Sequence, residues 1–407
     1  MNDMTTEKQN KRPNVPPLRF PEFNDEWQHV KLGSLAIKVG SGSTPRGGNS
    51  VYTKAGHCFV RSQNVGMGIL FLNDIVYIDE RTHQKQKSTE IKENDVLLNI
   101  TGASIGRTAI ATKEIDGGNV NQHVCIIRVR ESVVPNFICY YIQLPKTQKY
   151  IQSLQTGGSR EGLNFDQVRS FPISLPVGIE QSKIVQFLGL LDRRISVQNK
   201  IIERLQSLMD GIILNIIRAD DCSKVLLSDI LTERKETNSA LYKVCSVSVL
   251  RGVVDQVQFL GRSFAAKDTS NYNVVHYGDI VYTKSPTGNF PYGIIKRSQQ
   301  DNPVAVSPLY GVYEPYSNDI GCYLHYYFSN AVTTKNYLHK LIQKGAKNTI
   351  NISNQRFLEN YIRLPKADKL KKLTFLLNQL SVKKNQEEKI LVHLSQQKRF
   401  LLSKMFI

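Results

Sequence analysis

The longest regular pattern along the chain is a heptad series between Gly178 and Arg218. Ile184, Leu188, Leu191, Ile195, Ile202, Leu205, Met209, Ile212 and Ile216 recur at alternating steps of four and three, and Gln198 fills the one polar place in the series. This spacing predicts a long helix with a narrow apolar seam. At about 1.5 Å of rise per residue such a helix reaches roughly 60 Å, too long to bury its seam against one compact domain. It therefore needs a partner helix, and the stretch after Pro365 offers one: Leu370, Leu373, Leu377, Leu380, Leu391, Leu394, Leu401 and Met405 keep the same rhythm, with Lys384, Glu387 and Lys398 at its polar places. Both seams turn polar near their middles. Pairing them midpoint to midpoint brings Gln198 toward Lys384 and Glu387, a register device of the kind a single polar seam residue provides in coiled coils. The competing expectation is two unrelated amphipathic helices on separate domains.

What precedes each helix is written twice. Asn94-Asp95-Val96-Leu97-Leu98 is echoed by Gly278-Asp279-Ile280-Val281-Tyr282, each a turn running into a strand-like segment, and Pro135 to Tyr141 is echoed by Gly321 to Tyr327. Gly157-Gly158-Ser159 to Leu163-Asn164 corresponds to Lys344-Gly345-Ala346 to Ile350-Asn351. Phe171 to Pro176 corresponds to Tyr361 to Pro365, and within the helices Phe187-Leu188 aligns with Phe375-Leu376. The whole chain thus reads as one unit repeated, and a duplicated unit packing about a pseudo-dyad sets its two helices antiparallel with the globular parts at opposite ends. The expected fold class is α+β: two globular α/β domains joined by two long antiparallel helices. Its boundaries are a disordered tail at 1–17, a first domain at 18–177, a central helix at 178–218, a second domain at 219–365 and a final helix at 366–407.

Charge points to the partner. Fifty-three Lys and Arg against 35 Asp and Glu give a net +18, which favours a polyanion, and double-stranded DNA is the first candidate. Six cysteines, with no CxxC and no Cys/His cluster at metal spacing, read as reduced thiols of a cytoplasmic protein. No apolar run approaches the ~18 residues of a membrane span, and Met1 to Arg12 has no signal-peptide core, so no membrane is expected as a partner.

Candidate DNA contacts fall on polar, small-residue loops. In the first domain they are Ser43 and Thr44 in the Gly40 to Pro45 loop, Arg61 and Asn64 where a strand-like segment turns polar, and Ser104 and Arg107 in the turn after Asn99. Asn121 and Gln122 stand at a strand end, where an amide can pair bidentately with adenine, and Arg160 follows a flexible Gly-Gly-Ser. The Gly-rich loop lacks the Gly-Lys-Ser/Thr of a phosphate cradle and reads as a plain loop. In the second domain Lys284, Thr287 and Asn289 occupy the turn that replaces Ile100 to Gly106, while Lys344, Lys347 and Asn348 form a basic tip. A repeated framework with altered loops is suited to two different half-sequences, whereas a symmetric dimer reads a palindrome.

Two variable units, each ending in an aromatic segment closed by Leu175-Pro176 or Leu364-Pro365 and followed by a heptad helix, resemble the specificity subunit of type I restriction-modification systems. Glu180-Gln181 at the helix start and Asp192-Arg193-Arg194-Ile195 carry the same resemblance, which extends from about Leu18 onward; the second helix departs from it, with Ala367-Asp368-Lys369 in place of a Glu-Gln start. The resemblance implies two target recognition domains, each binding one half of a bipartite asymmetric DNA site, and a coiled coil that sets the spacer between them. It also implies recruitment of two adenine-N6 methyltransferase subunits, and through them restriction-translocase subunits, with S-adenosylmethionine, ATP and Mg bound by those partners and no cofactor or metal in this chain. The residues agree with a non-catalytic role: the chain has no Asn/Asp-Pro-Pro-aromatic signature, Walker motif, His-Glu-x-x-His or Gly-x-Ser-x-Gly. The alternative is a free-standing, repressor-like nucleic-acid-binding protein.

Overall fold

A computed structural model describes residues 14–155, 162–344 and 350–407. The chain gathers into two compact units, Met1–Val197 with Leu391–Ile407, and Gln198–Ile390, so that each long helix gives one part of itself to each unit.

The first unit contains strands β1 (Gln28–Lys31), β2 (Ala36–Ser41), β3 (His57–Val60), β4 (Val76–Ile78), β5 (Val96–Asn99), β6 (Thr108–Ile110), β7 (Asn119–Val120), β8 (Val124–Val129) and β9 (Pro172–Leu175). Its main sheet is antiparallel in the order β2-β8-β5-β6, and β3 pairs with β4 antiparallel and with β7 parallel. All four residues of β5 are buried, which explains its near-continuous apolar run: both of its faces are covered. One cover is the helix Pro135–Gln143, which buries Phe137 to Ile142. The antiparallel pair β1-β9, with Val30 opposite Ile173, delivers the chain to the first long helix, Gly178–Arg218. Ile184, Leu188 and Leu191 of that helix share a core with Trp27, Phe137, Leu394, Leu401 and Met405.

The second unit contains β10 (Ser223–Leu226), β11 (Leu231–Glu233), β12 (Cys245–Ser248), β13 (Gly252–Asp255), β14 (Asn273–Val275), β15 (Ile280–Tyr282), β16 (Ile295–Arg297), β17 (Val304–Val306), β18 (Gly311–Pro315), β19 (Gln343–Lys344), β20 (Ile350–Asn351) and β21 (Tyr361–Leu364). Its main sheet, β11-β18-β15-β16, is antiparallel and repeats the strand order of the first, with the helix Asn318–Tyr327 over it. The β10-β21 pair leads into the second long helix, Ala367–Lys404, as β1-β9 led into the first.

The heptads predict the seam closely. Ile184, Leu188, Leu191, Met209, Leu370, Leu373, Leu377, Leu394, Leu401 and Met405 are buried, and the other apolar seam positions are partly so. Within the second unit the helices run antiparallel, since Gln198 Nε2 donates to the Glu387 carbonyl oxygen (3.0 Å), Lys384 Nζ to Gln206 Oε1 (2.8 Å) and Lys369 Nζ to Asp221 Oδ2 (2.8 Å). The polar seam residues therefore satisfy one another. In the first unit Asp192 pairs with Lys398 at 2.6 Å.

Two details differ from the sequence reading. Ile213, outside the heptad series, is buried to 2% exposure while Ile212 is only partly covered, because a straight helix drifts against a strict seven-residue repeat. The alignment of Phe187-Leu188 with Phe375-Leu376 slips by one: Leu188 and Leu377 are both fully buried, whereas Phe375 and Leu376 are exposed. Burial thus matches Leu188 to Leu377, the same spacing that relates Leu175-Pro176 to Leu364-Pro365.

Candidate nucleic-acid interface

In the first unit three segments converge at one edge of the main sheet. Gly42 passes so close to β7 that a Cβ there would lie 1.8 Å from the Val120 carbonyl oxygen; only glycine permits that approach. The loop it begins is tied down by Ser43 N donating to Gln86 Oε1 (3.1 Å) and Thr44 N donating to Gln122 Oε1 (3.0 Å). Gln122 Nε2 lies 3.0 Å from His123 Nε2, and the other ring nitrogen of His123 contacts Thr101 Oγ1. Beside this chain lies a shallow concavity of about 410 Å³, lined by Ser62, Gln63, Thr101, Ser104, Arg107 and His123 among others.

The structure therefore brings together Thr44, Gln122, Ser104 and Arg107, with Ser43 next to them. Arg107 is exposed, and its guanidinium has no hydrogen bond or ion pair among the described residues, which leaves it free for phosphate or a guanine edge. Gln122 is exposed, but both ends of its amide are already in use, so a bidentate adenine contact requires release of Thr44 or His123.

Two expected contacts are framework residues instead. Asn64 is fully buried; its oxygen accepts from Arg61 N (2.9 Å), and its nitrogen donates to the Phe71 carbonyl and Asp74 Oδ1, both at 2.8 Å. An amide with every group spent inside a loop presents nothing to a base. Asn121, 6% exposed, folds its oxygen back onto His123 N (3.1 Å), a local turn bond rather than a readout group. Arg61 is partly committed, donating to the Asp74 carbonyl at 2.8 Å with its guanidinium over the Tyr52 ring. Gln63, Thr101 and His123 enter the site without having been singled out. Only their sequence neighbours Arg61 and Asn64, Ser104, and Gln122 pointed to them.

In the second unit Lys284 lies half-buried at the end of β15, and burial lowers its pKa while Glu233 opposes the change. Thr287 and Asn289 are exposed in a tight turn closed by backbone bonds between Thr287 and Phe290, 3.1 and 2.9 Å, with the buried Phe290 ring as its anchor. This turn leaves β15 as the Thr101–Arg107 segment leaves β5, the two strands holding the same place in their sheets. Lys344 lies in β19; Arg160, Lys347 and Asn348 fall outside the described residues. Among the described residues no helix is long and apolar enough to cross a membrane.

Residues 24–207, a little under half of the chain, match the family described as the type I restriction modification DNA specificity domain. In this segment the chain is similar to type I restriction-modification specificity subunits. It is 25% identical over 174 residues to the type I restriction enzyme EcoBI specificity subunit of Escherichia coli, a match covering 41% of this chain and 36% of that protein. The curated relative is thus matched over little more than a third of its length. Among solved structures the chain resembles the S subunit of a type I restriction-modification system from M. genitalium, at 15% identity and a TM-score of 0.59, over 97% of this chain and 99% of that one. That likeness establishes the fold.

Proposed function

We propose that this chain is the DNA sequence-specificity subunit of a type I restriction-modification complex. Each unit binds one half of a bipartite, asymmetric site on double-stranded DNA, and the paired helices, as pseudo-two-fold related spacers, set the gap between the halves. The observation that carries this reading is a repeated four-strand sheet order, β2-β8-β5-β6 and β11-β18-β15-β16, with different loops at the same positions. A net charge of +18 supports a polyanionic ligand.

The chain itself is non-catalytic in this reading and acts in the cytoplasm. Two methyltransferase subunits supply adenine-N6 chemistry with S-adenosylmethionine, and restriction subunits supply ATP- and Mg-dependent translocation and cleavage. Large apolar side chains exposed on the long helices support the recruitment of partner helices: Phe187, Leu190 and Val197 in the first unit, and Ile201, Leu208, Phe375 and Val382 in the second.

The test is co-expression with the methyltransferase subunit, followed by methylation-sensitive sequencing of host DNA. The expected result is N6-methyladenine at one gapped, asymmetric motif, with replacement of residues 18–176 by those of a relative changing one half of it. Unmarked DNA together with tight duplex binding by the chain alone overturns the proposal in favour of a repressor.

A further inference from the structure

The second unit holds a crevice of about 870 Å³ between its sheet and the long helices, and a buried lysine lies in its wall. Lys296 rises into it from β16, only 6% exposed, and among the described residues its amine has no hydrogen bond or ion pair. Burial pushes its pKa down to about 8, and the nearby Lys384, which lines the same crevice, acts in the same direction. His325, also in the wall, has a buried Nδ1 without a partner among the described residues, and burial keeps its ring neutral. None of the acidic groups lining the crevice bonds to Lys296 among the described residues: Asp210 Oδ1 accepts from Gln206 Nε2 (3.2 Å), Glu388 lies 3.6 Å from Lys384 Nζ, and Glu203 is exposed.

The first unit shows what the fold requires at this place. There Leu97 pairs with Ala109 across β5-β6 as Val281 pairs with Lys296 across β15-β16, and Cys139-Tyr140 occupies the covering helix where His325-Tyr326 does in the second. The corresponding crevice, about 360 Å³, is lined by Ala109, Ile110, Cys139 and Tyr140. A small apolar pair suffices for the framework. Replacing it by a buried lysine and an unpartnered imidazole costs stability unless something pairs with them.

We propose that this crevice binds an oxyanion, a carboxylate or a phosphate, held by the Lys296 and Lys384 amines with His325 Nδ1–H as a further donor. The inference does not depend on the DNA-recognition reading, and its test contains no DNA. The full chain, in chloride buffer of fixed ionic strength, is titrated calorimetrically with inorganic phosphate and, separately, with glutarate. The expected result is saturable binding of at least one anion, weakened at least tenfold by Lys296→Met and several-fold by His325→Phe. Binding is unchanged by Lys113→Met, which removes an exposed lysine of the first unit. Tighter binding of phosphate identifies a free phosphate as the occupant; equal or tighter binding of glutarate identifies an acidic side chain of a partner protein. Absence of saturable binding by either anion, or binding by both the Lys296 and the His325 variants as tight as by the unaltered chain, overturns the proposal.

Discussion

The two units solve the same junction with opposite charges. Where the first strand pair enters its long helix, Glu180 is fully buried, gripped by Arg19 through two 2.8 Å bonds and approached by Trp27 Nε1 at 3.3 Å. Gln181 beside it accepts from Val134 N (2.9 Å) and donates to the Pro176 carbonyl (2.8 Å). Four residues after the corresponding Leu-Pro, the second helix carries Lys369, whose amine meets Asp221 at the surface. The geometry of strand into helix needs an ion pair no more than it needs a particular sign. Burial decides how much depends on it: a charge removed from water relies on its partner, and a solvated one hardly does.

The buried sheet carboxylates make the same point. Asp95 and Asp279 occupy equivalent turns and both are nearly inaccessible, yet Arg128 comes from the adjacent β8 while Arg234 follows the more distant β11. What is constant is satisfaction of the buried charge, not the strand that provides it. In each pair the carboxylate raises the pKa of its arginine.

The comparison can be broken first at the seam. Leu188→Ala and Leu377→Ala each remove a fully buried side chain and are expected to cost about 3–4 kcal/mol. Denaturant unfolding measures both, and losses differing by more than about twofold would show that the two positions are not equivalent. The junctions come next. Glu180→Gln should cost about 3 kcal/mol by leaving Arg19 without its charge partner, while Lys369→Met leaves the midpoint where it was. Equal effects from the two substitutions would remove the distinction drawn here.

The crevices are separated by pH. A lysine whose folded pKa lies below its unfolded value binds fewer protons when folded, so stability rises as pH increases from about 8 toward 10.5, and below about 8 the full cost of burial is present. The charged and titratable groups that line the crevice with Lys296 are Glu203, Asp210, Arg251, Arg297, His325, Tyr326, Lys384 and Glu388. In anion-free buffer Lys296→Met is therefore expected to stabilise the chain by about 2–3 kcal/mol at pH 7, with the gain fading toward pH 10.5. A destabilised variant at pH 7 would mean that Lys296 has a partner in the folded chain. The smallest measurable loss lies at the register. Gln198→Leu removes a bond to the Glu387 backbone and is expected to cost about 1 kcal/mol, read as a small midpoint shift at unchanged slope.

Of the candidate site, exposed polar residues in loops were legible and buried ones were not. Ser104 and Arg107 follow a strand and end up at the polar edge as their sequence context implies. Asn64 has the same composition around it, but its amide is consumed by Arg61, Phe71 and Asp74, a set assembled by the fold of the loop. Whether an asparagine faces outward or closes a turn depends on which backbone groups come within about 3 Å of it, and no local pattern encodes that.

The sequence by itself determined the two long helices, their seams and polar midpoints, and the repetition of the sheet-forming unit. These are periodic or duplicated features, and periodicity is a local property that burial on one face imposes directly on residue choice. Tertiary structure alone decided the partners: Glu180 with Arg19, Thr44 with Gln122, and Lys296 with none among the described residues. Such pairings join residues tens to more than a hundred positions apart, and they are fixed by where packing leaves a charge or an amide out of reach of water.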